Sequence, residues 1–382
     1  MNNPVDTARP QIVSLMVAGR RVRRRKGVAE VARTVTVGLI ADPGLPERIA
    51  RYLVEDLQAD LAREIGGAHW RIEASRETLP LSDTGEIPLS ASAPRVLEQH
   101  GWDAVVYLTD LPRRHEGEPI LAELSSNDRI VLVCLPTLGA FRVTARTRAV
   151  LVPLLTSVAG GSDDAGAATR ALAGTSSEPM SSGVRYLIRP GRLNRLRLLA
   201  GMVRNNRPGS LVPALSRTIA AGVGTGAFGV FYASIWTMAD SLSPGRLALI
   251  SVAVIVALSS WLIFYNGLWT TDHDFDGSGS RWLDNAATLL TVGITVASMY
   301  LMLYLLLLGG ALLIITSDYL ADQLQRPVTA LDYLRLSWLA ASLGTVGGAI
   351  GSNFDSDRAI AEATYSRREY ERRRLAKGED SA

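Results

Sequence analysis

The residues best equipped for chemistry lie together in Leu108-Thr-Asp-Leu-Pro-Arg-Arg-His-Glu116. Four of them, Thr109, Asp110, Arg113 and His115, form the candidate ligand-binding set. They follow an apolar run, Ala104 to Leu108, that reads as a strand. Open parallel sheets bind ligands beyond the carboxyl ends of their strands. A carboxylate, an imidazole and a guanidinium suit an anion, or acid–base work. The plainer reading has Thr109 and Asp110 capping a turn and leaves the arginines in water. It is preferred, because no nucleophile, base and orienting group can be assembled from the spacing. Leu135-Pro-Thr-Leu-Gly139 follows the next strand. It is either a turn into a helix or a second wall of the same pocket.

A second candidate lies further on. Asp272, Asp274 and Asp276, with Gly277, match the start of an EF-hand loop, where alternate oxygens wrap a calcium ion and glycine makes the turn. The glutamate that closes such a loop is missing, and Leu283 stands in its place. An acidic, solvated turn is therefore preferred over a site for a divalent cation such as calcium. No cofactor is predicted, since the sequence has neither a dinucleotide glycine fingerprint after its first strand nor a phosphate-loop lysine. The single cysteine, Cys134, forms no internal disulfide and no zinc cage, and the four histidines show no HExxH spacing.

These residues need a scaffold, and the chain supplies two kinds. Residues 1–31 form a polar, basic tail. Residues 32–158 alternate strand and helix signals. Thr34 to Ile40, Trp70 to Ala74, Ala104 to Leu108 and Arg129 to Leu135 read as strands. Glu47 to Ile65, Ala93 to His100 and Phe141 to Val158 read as helices, the first with Ile49, Leu53, Leu57 and Leu61 on one face. The pattern predicts an α/β domain of three layers with a mostly parallel sheet. Residues 159–183 read as a flexible linker, and 184–209 as a basic juxtamembrane helix with Leu193, Leu196, Leu199 and Val203 on one face.

The rest, 210–352, predicts an all-α transmembrane domain. The stretches 218–238, 247–269, 286–317 and 336–352 carry no charge. A spanning helix needs about 20 apolar residues, so the first three qualify and the fourth is borderline. The third is over-long, and it is either one protruding helix or a pair broken at Gly309-Gly310. Four spans put the arginine-rich flanks, 185–217 and 358–374, on one side, as the positive-inside rule asks. The expected topology is a multi-pass protein of the cytoplasmic membrane with both termini cytoplasmic, ending in a charged tail, 353–382. Glycines at 222, 226 and 229, and at 344, 347, 348 and 351, let helix backbones approach closely. Packing within one subunit is the first reading, and a homo-oligomer interface the second. The run Arg20 to Lys26 suits anionic lipid headgroups; it lacks interleaved aromatics, and with a net charge of +3 nucleic acid is not an expected partner.

Gly101-Trp-Asp, Leu108-Thr-Asp-Leu-Pro112 and Leu135-Pro-Thr-Leu-Gly139 resemble an actinobacterial family of polytopic membrane proteins without assigned function. Gly347-Gly-Ala-Ile-Gly-Ser-Asn-Phe-Asp-Ser-Asp357 and Ala361-Glu-Ala-Thr-Tyr365 are similar to the same family, so the resemblance spans about residues 34–370. Some of its members carry a methylenetetrahydrofolate-dehydrogenase label. The residues argue against that chemistry, which uses a lysine in a Y-x-x-x-K pattern. Lys26 and Lys377 are the only lysines, and both lie in the tails. The resemblance therefore transfers no functional residue.

The leading expectation is a non-enzymatic membrane protein whose cytoplasmic α/β domain binds a ligand or partner and couples to the membrane domain. One alternative is a membrane-tethered enzyme working around Asp110. The other is a transporter or channel for an uncharged solute, disfavoured for proton or ion pumping because no span carries a charge well inside it.

Overall fold

The computed structural model describes residues 33–65, 68–75, 79, 87, 89–125, 129–159, 170, 172, 174–179, 184–206, 216–269 and 281–351. The basic tail, the Asp272–Asp274–Asp276 loop and the charged C-terminal tail lie outside them.

The N-terminal half is a mixed sheet with helices. Its strands are β1 (Arg33–Ala41), β2 (Ala68–Ser75), β3 (Ala104–Thr109), β4 (Arg114–His115), β5 (Glu118–Ser125), β6 (Ile130–Cys134), β7 (Ser176–Pro179) and β8 (Val184–Ile188). The order is β2-β1-β3-β6-β5-β8-β7, with β4 on β5. β2, β1, β3 and β6 are parallel to one another. β5 pairs antiparallel with β6 and β8, and β7 with β8.

The expectation of a mostly parallel sheet is thereby corrected. β5 returns directly into β6, and a connection that short permits only antiparallel pairing. The expected linker over 159–183 is corrected too, since β7 falls within it, and so is the helix expected over 184–209, whose first residues form β8 and which begins at Arg192; both strands extend the sheet beyond β5. β7 is an exposed edge strand with no apolar alternation, and edge strands need none.

α1 (Leu45–Glu64) and α3 (Val143–Ala159) cover one face of the sheet. Ile49, Leu53, Leu57 and Leu61 pack there with Val37, Leu39, Val106, Leu151 and Leu154. α2 (Leu89–His100) covers the other, where Ala93 and Val96 meet Ile40, Val105, Tyr107 and Leu132. Strands buried on both faces must be apolar throughout, which is why β3 and β6 read as unbroken runs. Arg148 of α3 clamps α1 through Asp56 at 2.9 Å and Asp60 at 2.5 Å. The hydrogen bond from Arg148 holds the Asp60 carboxyl below its ordinary value.

The C-terminal half is helical: α4 (Arg192–Asn205), α5 (Ser216–Phe231), α6 (Ala233–Ser241), α7 (Pro244–Tyr265), α8 (Arg281–Ile314), α9 (Ser317–Leu324) and α10 (Ala330–Gly351). Two of these, α7 and α8, are long and apolar enough to cross a membrane. α5 and α6 would make a third as a pair, but they are bent by 84°. The sequence expected one straight span over 218–238. Instead Tyr232 is extended, and the Trp236 indole takes the freed carbonyl of Val230 at 3.1 Å. α10 falls short of the same test, with Asp332 and Arg335 in its first turns. The third apolar stretch is one unbroken helix that runs through Gly309-Gly310.

The glycine stripes of α5 and α10 face each other within the chain. A Cβ on Gly344 would lie 2.5 Å from the Gly222 carbonyl oxygen, and one on Gly229 would lie 2.5 Å from the Ala340 Cβ. Trp338 donates to Ser251 Oγ at 2.6 Å, and the Tyr300 hydroxyl lies 2.8 Å from Ser251 Oγ and 2.9 Å from Ser342 Oγ. This polar knot joins α7, α8 and α10. Leu249, Val256, Leu301, Leu305 and Leu313 point outward, exposed.

Candidate functional site

The carboxyl ends of β1 and β3 meet at Asp42, which is fully buried. Its carboxylate accepts from the Tyr107 hydroxyl, from Thr109 Oγ1 at 2.7 Å and from the Asp110 amide at 3.2 Å. Tyr107 in turn accepts from the Leu79 amide at 3.3 Å. A charge buried in an apolar sheet is tolerable only when so bonded. The role of Asp42 as an acceptor is not legible in the sequence, where it simply follows the first strand.

The four candidate residues, Thr109, Asp110, Arg113 and His115, do not converge on a cleft. Thr109 and Asp110 are buried against Asp42. Arg113 forms a close ion pair with the buried Glu123 at 2.5 Å, off the line of a good hydrogen bond. Burial, reinforced by the Glu123 charge, pushes the neighbouring Cys134 thiol well above its ordinary range. His115 lies 3.5 Å from Glu178 of β7 and leans on the Tyr186 ring. Among the described residues, no group of three or more His, Cys, Asp or Glu is placed to hold a metal ion.

This loop does something the sequence did not foretell: it holds the membrane-type helices. Arg114 Nη2 donates to both carboxylate oxygens of Asp284 on α8, at 3.0 and 2.9 Å. Asn205 of α4 donates to the Asp110 carbonyl at 3.3 Å, and Asn206 to Thr291 of α8 at 3.1 Å. Glu118 of β5 binds Arg195 at 2.5 Å and the Gly191 amide at 3.1 Å, fixing the start of α4.

α4 fills the space between. Leu198, Leu199 and Met202 pack on Leu283 and Ala287 of α8. Its other side meets the tight helical turn Leu135–Leu138 so closely that a Cβ on Gly201 would lie 2.0 Å from the Pro136 carbonyl oxygen. The expected apolar face is corrected in part here: Leu193 is 80% and Leu196 56% exposed, while Leu199 and Val203 pack inward together with Leu198 and Met202. α4 is shaped by its two neighbours rather than by one apolar surface.

No known protein family, no curated protein and no solved structure matches the chain.

Proposed function

We propose that the chain is a multi-pass protein of the cytoplasmic membrane whose cytoplasmic α/β domain binds a ligand or partner and passes that event to the helix bundle through α4. The observation that carries this reading is the joint, in which the loop after β3, α4 and the start of α8 are bonded to one another by Arg114–Asp284, Asn205–Asp110 and Asn206–Thr291.

The crossing helices in this reading are α5, α7, α8 and α10. α8 has 34 residues and extends ~51 Å, against a hydrocarbon core of ~30 Å. The surplus matches its joint-forming start, because residues 292–314 alone extend ~34 Å. Outward-facing leucines and valines on α7 and α8 suit lipid. Trp261, Tyr265 and Trp269 at one end, with Trp282 beside them in the sequence order of the next helix, suit an interfacial belt. α6 and α9 join crossing helices at the opposite end, tied by Trp236–Tyr319 and by Arg326 to Asp240 and Asp332. Both arginine-rich flanks then face the cytoplasm.

Reporter fusions test the topology. A cytoplasmic signal after Ala382 and an external one at Gln325 are expected, and an external C-terminus would sink it. Calorimetric unfolding in detergent tests the coupling. One cooperative transition is expected, and two independent ones would contradict it.

A further inference from the structure

We propose that Arg146 and Arg197, which close over Gly139, and Arg189, whose amide bonds the Pro119 carbonyl beside the same turn, bind a phosphate group presented by a soluble phosphoester or by an anionic lipid headgroup. The three come from different elements: α3, the segment after β8, and α4. Arg146 and Arg197 meet at the turn that closes β6, beyond the carboxyl end of a parallel strand, where such sheets place ligands, and Arg189 adjoins it through Pro119, whose neighbour Ile120 accepts from Thr137 of the turn at 2.8 Å. Arg146 Nη1 donates to the Leu138 carbonyl at 2.6 Å. Gly139 has a φ of 88°, and a Cβ there would sit 2.8 Å from Arg197 Cγ and 3.1 Å from Arg146 Nη1. Glycine thus lets the two side chains close over the backbone.

The cations are left uncompensated. Among the described residues none of the three has a carboxylate partner, whereas Arg113, Arg114, Arg148 and Arg195 nearby all do. Arg189 Nε is buried and has no hydrogen-bond partner among the described residues. Burial, then the charges of Arg197 and Arg146, pull the Arg189 guanidinium below its ordinary value. An arginine stays protonated at neutral pH even so, and the mutual repulsion persists. α3 carries no acidic residue in its first turn, so no carboxylate there offsets the positive end of its dipole.

Three like charges around a buried, unbonded donor destabilise the empty protein, and an anion would relieve that. Guanidinium forks match a phosphate's oxygens in geometry as well as charge. Arg197 lies on α4, so an anion held here would draw α4 against the turn at 135–138. That consequence rests on the coupling proposed above; the binding itself does not.

The test uses the full chain in phosphatidylcholine nanodiscs. Inorganic phosphate is titrated by calorimetry and thermal unfolding, and parallel discs contain phosphatidylglycerol. The wild type should be stabilised by phosphate, by phosphatidylglycerol, or by both. Phosphate alone assigns a soluble ligand, and phosphatidylglycerol alone assigns a lipid headgroup. Arg189→Gln and Arg197→Gln should each weaken binding roughly 10–100-fold, as expected for a lost charge-assisted bond. Without ligand at low salt, both variants should unfold at or above the wild-type temperature, because repulsion is removed. Arg197→Lys should keep part of the response. A wild type indifferent to both probes, or glutamine variants that respond as the wild type does, would overturn the proposal. Binding in a wild type that unfolds in two independent steps would uphold this site and refute the coupling.

Discussion

Replacing Gly201 by alanine sets two effects against each other. In a helix interior alanine is favoured over glycine by ~1 kcal/mol. Here the added methyl would lie 2.0 Å from the Pro136 carbonyl oxygen and 2.7 Å from the Pro136 Cα. Both are backbone atoms, so no side chain can rotate away. Ordinary contact lies at about 3.5 Å, and α4 must therefore withdraw by more than ~1 Å. The Asn205–Asp110 bond, already 3.3 Å long, then passes out of hydrogen-bonding range. Its loss costs ~1 kcal/mol, and overpacking at such a contact typically costs ~1–3 kcal/mol. The net expectation is a destabilisation of ~1–3 kcal/mol, confined to the joint. Thermal unfolding in detergent, followed by tryptophan fluorescence and by proteolysis within α4, reads it out. Gly224→Ala, where a Cβ meets nothing within 4 Å, is the control and should be neutral or better. A Gly201→Ala protein as stable as its parent, with α4 still protected, would refute the packing argument.

Arg113→Ala should be among the most damaging changes in the α/β domain, at ~3–5 kcal/mol, since it removes the cation paired with the buried Glu123; urea unfolding measures it, and Arg113→Ala with Glu123→Leu should recover much of the loss. Gly344→Leu should abolish a monodisperse detergent-solubilised protein, because α5 lies against that position, whereas Gly310→Leu meets open space and should not; gel filtration separates the two. At the far end, the Arg326 hydrogen bond lowers the Asp332 carboxyl to about 2 from its ordinary 3.8. A depressed carboxylate stabilises the fold fully above its ordinary value and loses that contribution as pH falls toward the folded one. Asp332→Asn should therefore flatten the fall in unfolding temperature between pH ~4 and ~2, and an unchanged curve would show that the carboxylate contributes nothing there.

The parts of the fold legible in the sequence were those with strong local patterns. β1, β3 and β6 carry continuous apolar runs because both faces are covered, and α1 buries the very residues its period marks, Ile49, Leu53, Leu57 and Leu61. β7 was not legible, since Ser176-Ser-Glu-Pro179 is a polar edge that pairs with β8 through its backbone and carries no apolar pattern. The bend at Tyr232 was hidden for a similar reason. Hydropathy is blind to direction, and the Trp236 indole that stabilises the break is itself apolar in composition.

The structural partners of the loop after β3 were not legible in the sequence. Arg113, Arg114 and Asp110 look available in sequence. Their partners, Glu123, Asp284 and Asn205, lie on other elements, two of them far along the chain. Asp284 lies at the start of an apolar helix, and nothing in the local pattern marks it as an anchor.

The α/β domain rests on α8 through the loop after β3. The most direct measurement is cross-linking in native membranes of a chain carrying Arg114→Cys and Asp284→Cys, using a short bis-maleimide. Cys134 is fully buried and should not compete. An intramolecular cross-link is expected in the double variant, reduced when Gly201→Ala is added. Two cysteines that each label singly and never cross-link would contradict it.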